Sequence, residues 1–406
     1  MRVALFTLPN PFLSTPTAHF PTGLLYVAKA LHKAGHELQL VDLRASTGVY
    51  DYHIPDCDVV AVTATSAEAH WAKQVSALAR ARGLETMIGG AHATFMTEDC
   101  QPDFDYVVRG DGELAAINAL ADGRRGVYEI PLPRLDDVFP LWSLAGEAAF
   151  SRELFSGAGY GQGPKSAGLM MSRGCPYCCR FCRSEHVAVR LRPVEDIVTE
   201  ISHLQRVYGV HHYRFYDDCM TLNPARFREI CLLFKGLGIH WRAHTRSNLW
   251  TAEMAAWAKE GGCTEMGFGF ESADDRVLQA VHKQETVEQN RAAVQACRQA
   301  GIISKAFWLT GMPGETWDSV QAIKDFMDEE RPDRWIVSAL APYPGSDLWE
   351  HPEAYGIKWI ERDLSKYNNF SDDPLLEYEN CNRVEVAAHY RGLKAWLEEN
   401  YPHERS

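Results

Sequence analysis

The chain has 406 residues, 46% hydrophobic and 23% charged, with a net charge of −13. This length exceeds what one hydrophobic core usually organises, so two domains are expected. The acidic balance argues against a nucleic-acid partner, which needs an excess of Lys and Arg, and no apolar run approaches the ~20 residues of a membrane-spanning helix. Strand and helix signals alternate over residues 1–125. Val3–Thr7, Glu37–Val41, Asp58–Thr63, Glu85–Ile88 and Tyr106–Arg109 are short runs of the kind buried in parallel sheets, and Gly23–Ala34 and Ala67–Arg82 have helical periodicity. They predict a doubly wound, Rossmann-like α/β domain whose ligands lie beyond the carboxyl ends of its strands. Residues 126–166, with Pro131, Pro133, Pro140 and several glycines over 157–163, read as a linker. The βα rhythm resumes with candidate strands Gly168–Ser172, His212–Tyr216, His240–Thr245, Met266–Phe270, Ser304–Thr310 and Trp335–Leu340, with helices between them that include Val194–Tyr208 and Thr286–Ala300. Over 167–345 this predicts a partial (β/α)6 barrel with its chemistry at the strand ends. Residues 346–406 are aromatic-rich, end in a helix near Val384–Asn400, and read as a capping region.

The 11 cysteines follow no secretory leader, because Met1–Phe6 reads as a strand, so free thiols in a reducing cytoplasm are expected. Cys175, Cys179 and Cys182 form a C-x3-C-x2-C spacing within Arg173-Gly-Cys-Pro-Tyr-Cys-Cys-Arg-Phe-Cys182. Soft thiolates at this density suit an iron–sulfur cluster or zinc, but structural zinc wants four closed ligands, usually as two separated pairs. Three thiolates on a cubane leave one iron open to an external chelator. The spacing, with Phe181 before the last cysteine, resembles the radical S-adenosylmethionine (SAM) superfamily. The resemblance implies a [4Fe–4S] cluster on this triplet, SAM chelated to the open iron and cleaved to a 5′-deoxyadenosyl radical, and Phe181 near the adenine. Cys178 falls outside the triplet.

Further landmarks follow in the superfamily's order at candidate strand ends. Asp217 and Asp218 are implied to face the methionine amino group, or else form an acidic turn. Arg246 suits a SAM carboxylate contact, or is a surface arginine. Glu271 and Ser272 resemble the ribose-binding pair, with a helix N-cap as the alternative use of Ser272. Gly311 and Gly314, in Leu309-Thr-Gly-Met-Pro-Gly-Glu-Thr316, resemble the G-x-P-G-E-T element beside the adenine; glycines there permit close backbone approach, though a plain turn gives the same string.

The N-terminal domain resembles the cobalamin-binding domain fused ahead of many radical SAM cores, on Pro21–Ala28, Gly35–Asp42, Gly89–Thr94 and Asp105–Glu113. Gly89 and Gly90 would admit a bulky ligand to the backbone, Thr63, Thr65 and Ser66 present hydroxyls after another strand, and Gly110 opens a third loop. The D-x-H-x-x-G signature that supplies a histidine below cobalt is absent, and the corresponding loop reads Leu8-Pro-Asn-Pro-Phe-Leu-Ser14. The lower axial ligand is therefore open: water, another side chain such as His19, His70 or His92, or none.

The resemblance implies a cobalamin-dependent radical SAM enzyme, with C-methylation as the leading reading. A methyl group would move from SAM via methylcobalamin to an unactivated carbon of a small-molecule or natural-product substrate. An external electron donor such as flavodoxin or ferredoxin is implied. Cyclisation or rearrangement without methyl transfer is the alternative. A methylthiotransferase-like enzyme would carry clustered N-terminal cysteines, whereas Cys57 and Cys100 are isolated. No catalytic side chain stands out beyond the cofactor-binding set. Trp349, Tyr355, Trp359 and Tyr367 either cover the site or pack a core.

Overall fold

The computed structural model describes residues 1–13, 15–46, 53–152, 163–183 and 188–402. Its contacts divide into two units. The first holds a parallel sheet of β1 (Arg2–Thr7), β2 (Glu37–Asp42), β3 (Val59–Thr63), β4 (Glu85–Gly89), β5 (Tyr106–Val108) and β6 (Gly126–Tyr128), in the order β2-β1-β3-β4-β5-β6. Alternate residues of the central strands bury opposite ways. Ala4, Phe6, Val60 and Val62 pack with Ala72, Val75 and Ala79 of helix Ala69–Ala81. Val3, Leu5, Val59 and Ala61 pack with Leu24, Ala28, Ala115 and Ala119 of helices Thr22–Lys33 and Gly112–Asp122. Covered on both faces, this sheet has its topological switch point between β1 and β3, where doubly wound folds bind ligands.

In the first unit two features differ from the sequence reading. The expected boundary at residue 125 falls just before β6, which completes the first sheet. That strand has only three residues and opens on a glycine, too little for a period-two signal. The first unit also gathers Asp363–Tyr367 from the expected capping region, and Tyr367 is buried there. The glycines at 157–162 and Ser14 lie outside the described residues.

The second unit is built on six parallel strands. They are β7 (Ser166–Leu169), then, beyond the short antiparallel pair β8 (Ser172–Arg173) and β9 (Arg190–Leu191), β10 (His212–Phe215), β11 (His240–Thr245), β12 (Cys263–Glu271), β13 (Ile303–Thr310) and β14 (Arg334–Ala339). The order β14-β13-β12-β11-β10-β7 runs sequentially without closing, as a partial barrel does. The expected first strand, Gly168–Ser172, splits: β7 ends at Leu169, and Ser172 begins the β8–β9 ladder that closes the base of the cysteine loop. Past the sheet, β15 (Ile357–Ile360) pairs antiparallel with β16 (Leu376–Tyr378), and helix Arg383–Asn400 follows. Ile357, Leu376, Tyr378 and Val386 pack with Val277, Met312 and Leu340 near the ends of β12–β14, with Trp349 and Tyr355 against them. Core packing thus accounts for those two aromatics. Among the described residues no helix is long and apolar enough to cross a membrane.

Candidate functional site

The cysteine loop is anchored by acids at the end of β10. Asp217 is buried; its carboxylate accepts the Met171 N–H at 3.1 Å and the Ser172 hydroxyl at 2.5 Å. Burial, only partly opposed by these donors, pushes it up to about 6. Asp218 accepts the Gly174 N–H at 3.1 Å. Both acids, expected against the methionine amino group, therefore bond the backbone leading into Cys175.

Cys178 Sγ lies 3.3 Å from His282 Nδ1. Burial raises the Cys175 and Cys179 thiols; at Cys179 the Lys283 and Arg246 charges oppose it. Arg246 is 6% exposed and thoroughly engaged. Its Nη1 donates to Cys179 Sγ at 3.3 Å, its Nε to Asn248 Oδ1 at 3.2 Å and its Nη2 to the Lys283 carbonyl, and the guanidinium lies 3.7 Å over the Tyr177 ring. Neither surface residue nor open carboxylate clamp, Arg246 contacts a triplet cysteine directly.

From Arg246 an ion chain runs to the end of β12. Glu285 Oε2 pairs with Arg246 at 3.4 Å and with Lys283 Nζ at 3.2 Å, and Lys283 pairs with Glu271 Oε1 at 3.1 Å. Glu271 has φ 62°, an uncommon conformation for a residue with a side chain. Gly269 leaves the room this needs: a Cβ there would meet the Glu271 carboxylate and lie 3.1 Å from Lys283 Nζ. Ser272 is buried, and its hydroxyl accepts the Asp274 N–H at 3.2 Å, a turn contact. Phe181 packs against the cluster containing Met312 and Leu340, with Lys283 Nζ 5.9 Å from its ring centroid. The structure thus joins Cys179, Arg246, Phe181 and Glu271 through Lys283 and Glu285, two residues that sequence reasoning missed. They lie in a loop between helices, where only burial, invisible to periodicity, marks them.

After β13, Gly311 has φ 79° and Gly314 φ 78°. The Gly311 N–H donates to Glu315 Oε1 at 2.8 Å, its carbonyl accepts the Tyr378 hydroxyl at 2.7 Å, and His389 Nδ1 lies 2.8 Å from the same Glu315 oxygen. This loop is held from the C-terminal region, which sequence reasoning treated as a cover.

In the first unit the predicted residues gather at the ends of β3, β4 and β5. Gly90, at φ 92°, is a packing requirement: a Cβ there would lie 2.8 Å from Thr63 Oγ1 and 2.9 Å from the Ala64 carbonyl. Gly89 accepts the Ala64 N–H at 3.1 Å. Thr65 and Glu68 form a capping box, and Glu68 also accepts from Asn10 at 3.2 Å, bridging the loops after β1 and β3 across the switch point. His92 is buried, with Nδ1 3.3 Å from Ser66 Oγ and Nε2 2.9 Å from Asp99. Burial lowers it despite Asp99. Both its ring nitrogens are engaged, so it does not present a lone pair as a lower ligand. His70 is exposed and packs on Trp71. Gly110 has φ 72° and nothing within 4 Å of a Cβ built on it.

These residues fit the groups the sequence implies. Three cysteines on one loop with an adjacent guanidinium donor suit a cubane. The open Gly110 loop and the switch point between β1 and β3 suit a flat, bulky ligand.

A doubly wound sheet with a switch point and a partial barrel carrying a three-cysteine loop are the two halves of the fold. Residues 12–120 match the B12 binding domain and residues 169–327 the radical SAM superfamily. An uncharacterized methyltransferase of Pyrococcus horikoshii is 30% identical over 404 residues, covering 90% of this chain and 85% of the relative. Cytidylyl-2-hydroxyethylphosphonate methyltransferase of Streptomyces wedmorensis is 27% identical, covering 82% and 78%; relatives named as anaerobic magnesium-protoporphyrin IX monomethyl ester cyclases also match. The fold is shared with the radical SAM methyltransferase TsrM of Kitasatospora setae, solved with cobalamin and a [4Fe-4S] cluster: TM-score 0.68, 18% identity, 96% of this chain and 84% of that one. The chain belongs to the cobalamin-binding radical SAM enzymes, whose cofactors are a [4Fe–4S] cluster, SAM and cobalamin.

Proposed function

We propose that this protein methylates an unactivated carbon of a small-molecule substrate, with SAM as the methyl source. The observation that carries the reading is the pairing of the corrinoid-type unit with the cysteine-bearing barrel in a chain whose full-length relatives include named methyltransferases. When bound, the cofactors supply radical and methyl-carrier chemistry; the chain supplies position. In this reading Cys175, Cys179 and Cys182 hold the cluster, and Asp217 and Asp218 fix the loop that presents them. Phe181, Glu271, Ser272, Gly311 and Gly314 line the nucleotide, and Arg246 acts through Cys179. Thr63, Thr65, Ser66, Gly89, Gly90 and Gly110 shape the corrinoid side. Flavodoxin or ferredoxin delivers the electron, in the cytoplasm.

Anaerobic incubation of reconstituted protein with methyl-labelled SAM, reductant, cobalamin and metabolite extract tests it. The expected product is one methylene heavier than its substrate and carries the label. Cys175→Ala, Cys179→Ala and Cys182→Ala should each abolish product and cluster absorbance, while Cys178→Ala should not. The cyclase-named relatives favour a second reading, cyclisation or rearrangement, which predicts a product without the added label.

A further inference from the structure

Between the loop after β13 and the first turns of helix Arg383–Asn400 lies a cavity of about 240 Å³, lined wholly by residues of the second unit. The hydrogen bonds that hold this loop leave two polar atoms unused. Glu315 Oε1 takes both the Gly311 N–H and His389 Nδ1, each at 2.8 Å. An ionised carboxylate only accepts, so Nδ1 carries the proton, and in the neutral ring Nε2 is left as an acceptor. Among the described residues neither Glu315 Oε2 nor His389 Nε2 has a hydrogen-bond partner, although each side chain is only 5% exposed. Neither atom is sealed from solvent, and both residues line the cavity.

The rest of the wall has the same character. Glu385, on the helix face of His389, adds a second carboxylate, which also closes the capping box by accepting the Asn382 N–H at 2.9 Å. Burial, with the charges of Glu385 and Glu315, pushes the Cys381 thiol in the same wall up to about 11. The local field is therefore negative. Among the described lining residues there is no Lys or Arg to offset it. Trp317, the first residue of helix Trp317–Glu330, lines the cavity while 53% exposed, and its ring meets that of His389 edge-on at 4.5 Å. An indole held this way offers a π face to a cation.

We propose that this cavity binds a small organic cation, whose ammonium or guanidinium group donates to Glu315 and His389 beside Glu385 and the Trp317 ring. Both cationic groups are donors without acceptors, which matches a wall whose unused atoms accept. The wall includes Gly311 and Gly314 but none of Phe181, Arg246 and Glu271. The cation's site is thus separate from the one that those three residues join.

The test needs neither cluster nor corrinoid, so its outcome is separate from that of the methyl-transfer reading. The full chain, unloaded, is titrated by calorimetry with agmatine, which carries a guanidinium and an ammonium, and with uncharged butylurea, at ionic strength matched by KCl. Saturable binding of agmatine is expected, butylurea should bind far more weakly, and S-adenosylhomocysteine should not compete. Glu385→Gln keeps the capping box, which accepts Glu or Gln, so its thermal unfolding without agmatine should match wild type. Glu385→Gln and Trp317→Leu should each weaken agmatine roughly threefold or more. A response to agmatine no larger than that to KCl or butylurea overturns the proposal, as does unchanged affinity in both variants. Competition by S-adenosylhomocysteine also overturns it, because the cavity would then belong to the nucleotide site.

Discussion

Asp217 is a carboxylate that the fold turns on its own backbone. Its oxygens accept from Met171 and Ser172, yet burial still pushes the group up to about 6. The folded value therefore lies above the unfolded one near 4. The sign follows: Asp217's contribution to stability is complete below that unfolded value and is lost as pH rises towards about 6. Asp217→Asn keeps an acceptor for these donors but cannot titrate. The stability of wild type relative to this variant should thus fall by about 3 kcal/mol at most between pH 4 and pH 6.5. Urea unfolding of both proteins at several pH values measures it. A pH-independent difference would mean that Asp217 does not titrate in this window.

At the scale of elements, the strand ends are connected by side chains rather than simply adjacent. Glu271 reaches the cysteine loop through Lys283, Glu285 and Arg246. Glu271→Ala leaves Lys283 its pairing with Glu285, so the fold and the cluster loop should persist. SAM affinity, measured by anaerobic calorimetry, should fall by roughly tenfold or more, as expected for a lost charge-assisted hydrogen bond, with iron content unchanged. Equal affinity would remove Glu271 from the nucleotide site. Much of this was legible in sequence. The six barrel strands announced themselves as short apolar or alternating runs before glycines and polar turns, as in His-Trp-Arg-Ala-His-Thr of β11, and the cysteine spacing is local. What was not legible depends on tertiary burial. Lys283 and Glu285 look like loop charges until their surroundings close over them. β6 and the β8–β9 ladder are too short to show alternation. Asp217, Asp218 and Arg246 were placed at the right strand ends but given ligands, because sequence does not reveal that their partners are Met171, Gly174 and Cys179.

For the molecule as a whole, two cofactor sites in separate units imply that each can be damaged alone. Gly90 is a poor probe of the corrinoid side, because any side chain there meets Thr63 and Ala64 first. Gly110 is better: its surroundings are open, and the cost of a side chain is the strain of φ 72°, of order 1 kcal/mol. Gly110→Phe should lower the bound corrinoid, read by absorbance, and leave iron content intact, while Cys175→Ala should do the reverse. The axial question is sharper. The loop after β1 lacks the D-x-H-x-x-G signature and its Asn10 is bound to Glu68, and His92 has both nitrogens engaged with Ser66 and Asp99. A corrinoid held here without a strong donor below would favour cobalt(I). The cob(II)alamin form should therefore show no nitrogen superhyperfine splitting from a lower ligand in its paramagnetic resonance spectrum, and His92→Ala should leave that spectrum unchanged. A nitrogen-split spectrum that vanishes in His19→Ala, His70→Ala or His92→Ala would overturn this assignment and identify the ligand.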